Sequence, residues 1–342
     1  MSDRPRVLIA GIGGASLGME VLKCLVLADR YSIFGCDISP LAFGHYDSGF
    51  VKTFVLDRGR YLDSLLQICR AEAIRFIIPG GEEPLELLSR HLPLLTENGV
   101  VLAANAPAIL RTFTDKEITF SALAGLGFRI PKTMYVDSPD QVANAPSPCV
   151  VKPAVGSGGS TNVFLAADRD EAALYVSFLL RNGKKVLIQE YIPESEGEFT
   201  VGVLSLPGKH LVGSIALRRS FHNKLSVHTR TKTGLISSGS SQGYIDSFPK
   251  VQATAEAIAR QSGSEGPFNI QGRVLDGEFI PFEVNPRFSA STYLRALAGF
   301  NEIDHYLRHL LGEEGIPAPT IRPGYYLRSF SEVYVPPNKV VA

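Results

Sequence analysis

Apolar residues fall in short, regularly spaced clusters along the first hundred positions. RVLIAG is a β-rich run ending in glycine, and ASLGMEVLKCLVLADR then repeats its apolar residues at helical spacing. YSIFGCD reads as a strand, RYLDSLLQICRAEA as a helix, IRFIIPGG as a strand, PLELLSRHLPLLTENG as a helix and VVLAAN as a strand. Alternation at this spacing predicts a parallel sheet with helices on both faces, so residues 1–112 are expected to form a small Rossmann-like α/β domain.

The pattern then changes. Over 113–188, Thr114 and Glu117 have capping-box spacing and place Lys116 in the first turn of a helix. PCVVKPAVGSGGSTNVFLA follows as a buried strand, a glycine-rich loop and another strand; residues 168–182 look helical, and KVLIQEYI is a strand. Over 189–312, FTVGVLSLPGKHLVGSIALRRSF reads as a hairpin turning at Pro207-Gly208, KVQATAEAIARQSG as a helix, and FNIQGRVLDGEFIPFEVNP as a second hairpin. The tail, 313–342, carries one or two late strands in YYLRSFSEVYV. The expected class is α/β joined to α+β.

Parity in the second hairpin is informative. Ile270 and Val274 on one strand, and Ile280, Phe282 and Val284 on the other, are all even-numbered. A two-residue Asp276-Gly277 turn would pair 275 with 278, an odd sum, and turn one strand over. A three-residue loop, 276–278, restores parity and sets Gln271 opposite Glu283. Gln271, Arg273, Glu283 and Asn285 then share one face. That face is either a wet surface with a Glu–Arg pair or a set of hard oxygen ligands suited to Mg²⁺ and a phosphate.

Composition narrows the choice of partners. Lys plus Arg and Asp plus Glu are 34 each among 342 residues, so no global charge points to nucleic acid or a membrane surface. Cys24, Cys36, Cys69 and Cys149 are far apart without a C-x-x-C, which suits reduced thiols in the cytoplasm. MSDRPRVLIAGIGG breaks at glycines too soon for a signal peptide, and no apolar run reaches membrane-spanning length. Cytoplasmic localisation is the expectation.

Charge is instead local. VVKPAVGSGGST has Lys152 before its glycines, so it is no Walker loop, yet it can be either a plain turn or a cover for a triphosphate. Lys152 ends an apolar strand, where an unpaired ammonium is costly, so it calls for an anion. Between Phe199 and Ile245 there is no acid, while Arg218, Arg219, His222, Lys224, His228, Arg230 and Lys232 lie in that span. This is either a solvated rim or a wall facing an anionic substrate or triphosphate.

TDKEITFSALAGLGFRIPKT, VVKPAVGSGGST, LIQEYIPESEGEFTVGVL and NIQGRVLDGEFIPFEVNPRFSAST, in that order, resemble the ATP-grasp superfamily. The carbamoyl phosphate synthase large chain and small carboxylate–amine ligases are most similar. The resemblance covers about 110–312, and VLIAGIGGASLG is similar to the preceding pre-ATP-grasp domain. It implies that Lys116 and Lys152 contact ATP phosphates and that Gly156, Ser157, Gly158, Gly159 and Ser160 close over them. Glu190, Tyr191 and Ile192 would meet adenine, and Glu198 the ribose. Gln271, Glu283 and Asn285 would hold Mg²⁺, with Mn²⁺ as an alternative, and Arg287 would sit near the transferred phosphate. The implied lobes are 113–188 and 189–312.

The implied reaction makes an acyl phosphate from a carboxylate and ATP, which an amine then attacks. A single unit without a glutaminase-like segment favours a ligase for a small acid over carbamoyl phosphate synthesis, and single-unit relatives are often homodimers. Substrate contacts are expected at Gly13, Gly14, Glu82, Arg218, Arg219, His228 and Arg230. Two other readings compete. A dehydrogenase would use Gly11, Gly13, Gly14, Gly18 and Asp37, although their spacing departs from G-x-G-x-x-G. A sensor would bind ATP without turnover.

Overall fold

Val7, Leu8, Ile9 and Ala10 of β1 (Arg6–Ala10) are completely buried, as befits a central strand covered on both faces. With β2 (Ser32–Asp37), β3 (Lys52–Val55), β4 (Phe76–Pro79) and β5 (Val101–Leu102) it forms a parallel sheet in the order β3-β2-β1-β4-β5. The computed structural model describes residues 4–14, 17–154, 160–222 and 224–341. Among the described residues no helix is long and apolar enough to cross a membrane.

The alternating side chains of β1 serve two cores. Leu8 and Ala10 join Leu65, Leu88 and Leu95, which come from α2 (Tyr61–Ala71), α3 (Glu82–Arg90) and α4 (Leu92–Glu97). Ile9 faces the other way, towards α1 (Leu17–Ala28), where a Cβ on Gly18 would lie 3.4 Å from it. That same Cβ would lie 1.9 Å from Gly11 O, and so would one on Gly80. Glycine at 18 and 80 is therefore a steric condition for bringing the start of α1 and the end of β4 against the turn after β1. The four cysteines are buried free thiols.

A second unit spans Ala108–Pro286 and Ile321–Leu327. Here α5 (Pro107–Thr114) is followed at once by α6 (Lys116–Gly125). Thr114 closes α5, giving its hydroxyl to Leu110 O at 2.8 Å, and the cap of α6 is Asp115, whose carboxylate accepts from Glu117 N at 2.8 Å and Ile118 N at 3.3 Å. The expected Thr114–Glu117 box is thus replaced by a cap one residue later, and Lys116 still opens the helix.

A four-stranded antiparallel sheet, in the order β6-β9-β7-β8, comprises β6 (Thr133–Val136), β7 (Cys149–Pro153), β8 (Phe164–Ala166) and β9 (Val186–Glu190). Helix α7 (Arg169–Arg181) seals it with Ala172, Val176 and Leu179. The next strands are β10 (Glu198–Leu206), β11 (His210–Arg219), β12 (Val227–Arg230), β13 (Leu235–Ser237), β14 (Gly243–Asp246), β15 (Pro267–Leu275), β16 (Glu278–Asn285) and β17 (Gly324–Tyr326). Six of them make a sheet in the order β16-β15-β10-β11-β14-β17, with α8 (Pro249–Ser262) packed on it, while β12 and β13 form a separate ribbon. Of the strands expected in the tail, only Gly324–Tyr326 forms.

The β15–β16 hairpin corrects the expected loop. Leu275 pairs with Glu278 across a two-residue turn, in which Asp276 and Gly277 have φ of 56° and 74°, the hand that matches strand twist. Parity is restored at a β-bulge: Gln271 faces Glu283 and Gly272 faces Pro281, leaving Phe282 as the extra residue. Gly272 allows it, since a Cβ there would lie 2.5 Å from Ile280 O. The Gln271–Glu283 pairing therefore stands, reached by another route, while Phe282 leaves the apolar face expected for it.

After β16 the chain rejoins the first unit, which comprises Met1–Pro107, Arg287–Thr320 and Arg328–Ala342. The sequence had assigned 287–312 to the second ATP-grasp lobe. Helices α9 (Thr292–Leu297) and α10 (Glu302–Leu310) cover α1. Asn301 donates to Cys24 O at 2.8 Å and the Tyr306 hydroxyl to Ala104 O at 3.0 Å. Arg295 and Glu302 form an ion pair, Nε to Oε2 2.7 Å, with side-chain exposures of 0% and 1%.

Candidate functional site

Within the second unit, both sheets contribute side chains to one recess with about 660 Å³ of atom-free space, its open mouth included. The four-stranded sheet supplies Lys152, Gln189 and Glu190; the six-stranded sheet supplies Gln271, Arg273, Phe282 and Glu283; Lys116 comes from α6.

Lys152 sits on β7 with 6% of its surface exposed. Its ammonium donates to Gln189 Oε1 at 2.8 Å and to Phe282 O at 3.4 Å. Burial, then the neighbouring Lys116 charge, pushes its pKa down to about 7, against the pull of Glu283. Across the recess, Gln271 Nε2 donates to Glu283 Oε2 at 2.9 Å. Asn285 is two residues on along β16, with Asn269 as its ladder partner, and does not line the recess.

Some expected residues carry other duties. Glu190 lines the recess, but its Oε2 accepts from Lys132 N at 3.0 Å. The Ile192 carbonyl accepts from Arg273 Nη1 at 2.6 Å, and the Tyr191 hydroxyl accepts from Leu235 N at 2.9 Å and donates to Glu194. Glu198, expected at a ribose, is 0% exposed, with Arg273 Nε at 2.8 Å from Oε2 and Arg219 Nη1 at 3.4 Å from Oε1. Arg219, expected at the substrate, is likewise buried. Arg218, the next residue on β11, is exposed, because successive strand residues point to opposite faces. His228 and Arg230 are exposed at alternate positions of β12. Ser160 gives its hydroxyl to Ser237 O at 2.7 Å. Gly156, Ser157, Gly158 and Gly159 lie outside the described residues.

Arg273 and the β13 strand are the residues that sequence reasoning missed in this recess. The sequence pattern places Arg273 only on a polar face, whereas its guanidinium ties Glu198, Ile192 and Leu235 together. An arginine between apolar neighbours on a buried strand was the available signal.

The first unit has its own crevice, lined by Gly11, Gly13, Asp37, Arg58, Tyr61, Gly80, Glu83 and Arg90 among others. It lies past the carboxyl ends of β1, β2 and β4, where the strand order reverses. Gly14 approaches Phe43, its Cβ position 3.5 Å from Phe43 Cβ. Asp37 Oδ2 accepts from Ile12 N at 2.9 Å and Oδ1 from Ser39 N at 3.0 Å. Both oxygens of the acid a dehydrogenase would turn to a ribose are thus engaged by backbone. Arg287, in this unit, pairs with Glu82 at 2.8 Å and donates to Phe288 O at 3.1 Å.

In the second unit, two antiparallel sheets flank a lysine-bearing recess, and a parallel sheet makes up the first unit. The family described as "ATP-grasp in the biosynthetic pathway with Ter operon" matches residues 182–333. A formate-dependent phosphoribosylglycinamide formyltransferase of Mannheimia haemolytica is 25% identical over 268 residues, 76% of this chain and 64% of that protein. A carbamoyl phosphate synthase large chain of Vibrio cholerae is 24% identical over 359 residues, 99% of this chain and 32% of that protein. An ADP complex of N5-carboxyaminoimidazole ribonucleotide synthetase matches with TM-score 0.68 at 14% identity, over 94% of this chain and 80% of that one. The chain thus resembles an ATP-grasp family over residues 182–333 and shares its fold with that synthetase.

Proposed function

We propose that this chain is an ATP-dependent, ADP-forming ligase, which activates a small carboxylate, an amino acid or related acid, and joins it to an amine. The observation that carries the reading is Lys152. Its ammonium is buried against two neutral oxygens beside a second lysine. Two cations in one recess repel, and a polyphosphate is a ligand that offsets the cost for both.

In this reading Lys116 and Lys152 hold phosphate oxygens, and Ser160 borders them. Glu190 and Tyr191 border the base. Glu198 is assigned no ribose contact, given its burial between two guanidinium groups. One carboxylate, Glu283, with the Gln271 carboxamide opposite, is a sparse, hard donor set that fits Mg²⁺ completed by substrate phosphate, and Asn285, outside the recess lining, is assigned as a further donor only on the resemblance. Bound there, the metal would neutralise phosphate charge. Arg287 is assigned to the transferred phosphate.

The chemistry balances in two steps. A substrate carboxylate oxygen bonds to the γ-phosphorus as the bond to the β-phosphate oxygen breaks, releasing ADP. The amine nitrogen then bonds to the acyl carbon, phosphate leaves, and the nitrogen loses a proton. Positioning and charge neutralisation carry most of this work. The exposed Arg218, His228 and Arg230 are assigned to the acid substrate, and Gly13, Gly14 and Glu82 to the other substrate.

The test is ADP and phosphate release from Mg-ATP with panels of amino acids, hydroxy acids and dicarboxylic acids, each with amine acceptors. Release that depends on both partners supports the ligase. Tight ATP binding without turnover in every mixture replaces it with a sensor.

A further inference from the structure

The Arg219 guanidinium is 1% exposed and reaches both ends of the β12–β13 ribbon. Ser226, just before β12, accepts from Nη2 at 3.3 Å; Ser238, just after β13, accepts from it at 2.7 Å, and Ser240 at 3.5 Å. The ribbon ends meet there, Ser238 N donating to Ser226 O at 3.0 Å. The other arm, Nη1, lies 3.5 Å from Gln271 Oε1 and 3.4 Å from Glu198 Oε1. One rigid fork thus ties the ribbon's base to the strand bearing the Gln271–Glu283 pair.

The ribbon is also a wall of the recess. Ile236 and Ser237 line it, and Ser237 O accepts from Ser160, the end of the glycine-rich segment. Leu235 is held on both sides, its N by Tyr191 and its O by Arg273 Nη2 at 2.9 Å. A Cβ on Gly234 would lie 2.1 Å from the Tyr191 hydroxyl, so the ribbon approaches that ring as closely as a backbone can.

We infer that Arg219 is a positioning residue: it pins both ends of the β12–β13 ribbon to the Gln271 strand and so holds the nucleotide recess in shape. It contacts no substrate. A lysine keeps a charge near Glu198 but cannot fork across three carbonyls. The nucleotide part of this inference rests on the ligase reading; the ribbon part does not.

Two measurements on wild type, Arg219→Lys and Arg219→Met test it, both well below each variant's Tm. Amide exchange over 226–238 without nucleotide is expected to quicken by about tenfold or more in Arg219→Met, as for one lost strong hydrogen bond, and by less in Arg219→Lys. Mg-ADP affinity is expected to weaken in the same order, by about tenfold in Arg219→Met. A residue that merely fills space would lower Tm and leave both readouts unchanged, which overturns the inference. Should Arg219→Met not fold, Arg219→Lys decides: wild-type exchange and wild-type affinity overturn it. If wild type does not bind Mg-ADP, the ligase reading falls, and ribbon exchange still decides the role of Arg219.

Discussion

Replacing Lys152 by methionine separates the cost of a buried charge from its use. Its pKa falls from 10.5 to about 7, and at about 1.4 kcal/mol per unit the folded chain bears on the order of 4 kcal/mol at neutral pH. Lys152→Met removes that burden, keeps most of the packing volume, and strips a donor from Gln189 Oε1 and Phe282 O. An unsatisfied buried acceptor costs about 1–3 kcal/mol, and the 3.4 Å contact to Phe282 is the weaker of the two. The two effects nearly cancel, so the Tm of Lys152→Met should match or exceed that of wild type. Nucleotide binding should behave otherwise. Losing one or two charge-assisted hydrogen bonds of about 1.5–3 kcal/mol in total weakens Mg-ADP by roughly 10- to 150-fold. Calorimetric melting and titration with Mg-ADP read both, and the KM for the acid should hardly move. A large drop in Tm with unchanged nucleotide affinity would show that Lys152 is a packing residue and refute the reasoning.

The pH dependence carries opposite signs for folding and binding. Between about pH 7 and 10.5 the unfolded chain keeps a Lys152 proton that the folded chain has shed, so the Lys152 contribution to stability improves as pH rises. Mg-ADP affinity should instead decline above about pH 7, with proton uptake on binding in that range; Lys152→Met should flatten the decline, and an equal decline in the variant would exclude this lysine. Glu283→Ala should retain the wild-type Tm within about 1 kcal/mol of stability, since the side chain is half-buried on a polar face. It should abolish Mg-dependent turnover, and retained turnover would remove Glu283 from the metal set. Gly80→Ala forces a Cβ to 1.9 Å from Gly11 O and should destabilise the first unit by several kcal/mol, as overpacking does; a wild-type denaturation midpoint would count against that close approach. Replacing His228 and Arg230 together by glutamate should raise the KM of the acid at least tenfold, for a loss of about 1.4 kcal/mol, with the KM for ATP little changed, and the opposite pattern would move the acid site elsewhere.

Patterning disclosed the elements whose period is long and whose burial is simple. The β1-to-β5 alternation, α7 and α8 were all legible. So was the partnership of Gln271 with Glu283, although the loop invoked to explain it was not the one that forms. A β-bulge leaves no periodic trace, and only Gly272 and the neighbouring Pro281 hinted where the ladder would slip. Strand β3, KTFV, is the exception in that alternation: it lies at the sheet edge with no fully buried residue, so it leaves no clear apolar run. In the recess, Lys152 was conspicuous because a lysine at the end of an apolar run is costly. Arg219 and Arg218 looked alike in sequence, yet one is buried and the other exposed, since strand faces alternate and only the ladder fixes which is which. Glu198 similarly depends on two arginines that are remote in sequence and adjacent in space.

The return of α9 and α10 to cover α1 bears on how the protein is made. The parallel sheet leaves the ribosome first, but the segment carrying Arg295, Asn301 and Tyr306 follows only after the whole second unit has been synthesised. At about 5–20 residues per second, the greasy back of α1 waits roughly 15–55 s for its lid. The first unit is thus completed only after the second has been made, and a nascent chain halted at β16 would display that naked helix to whatever chaperone is near.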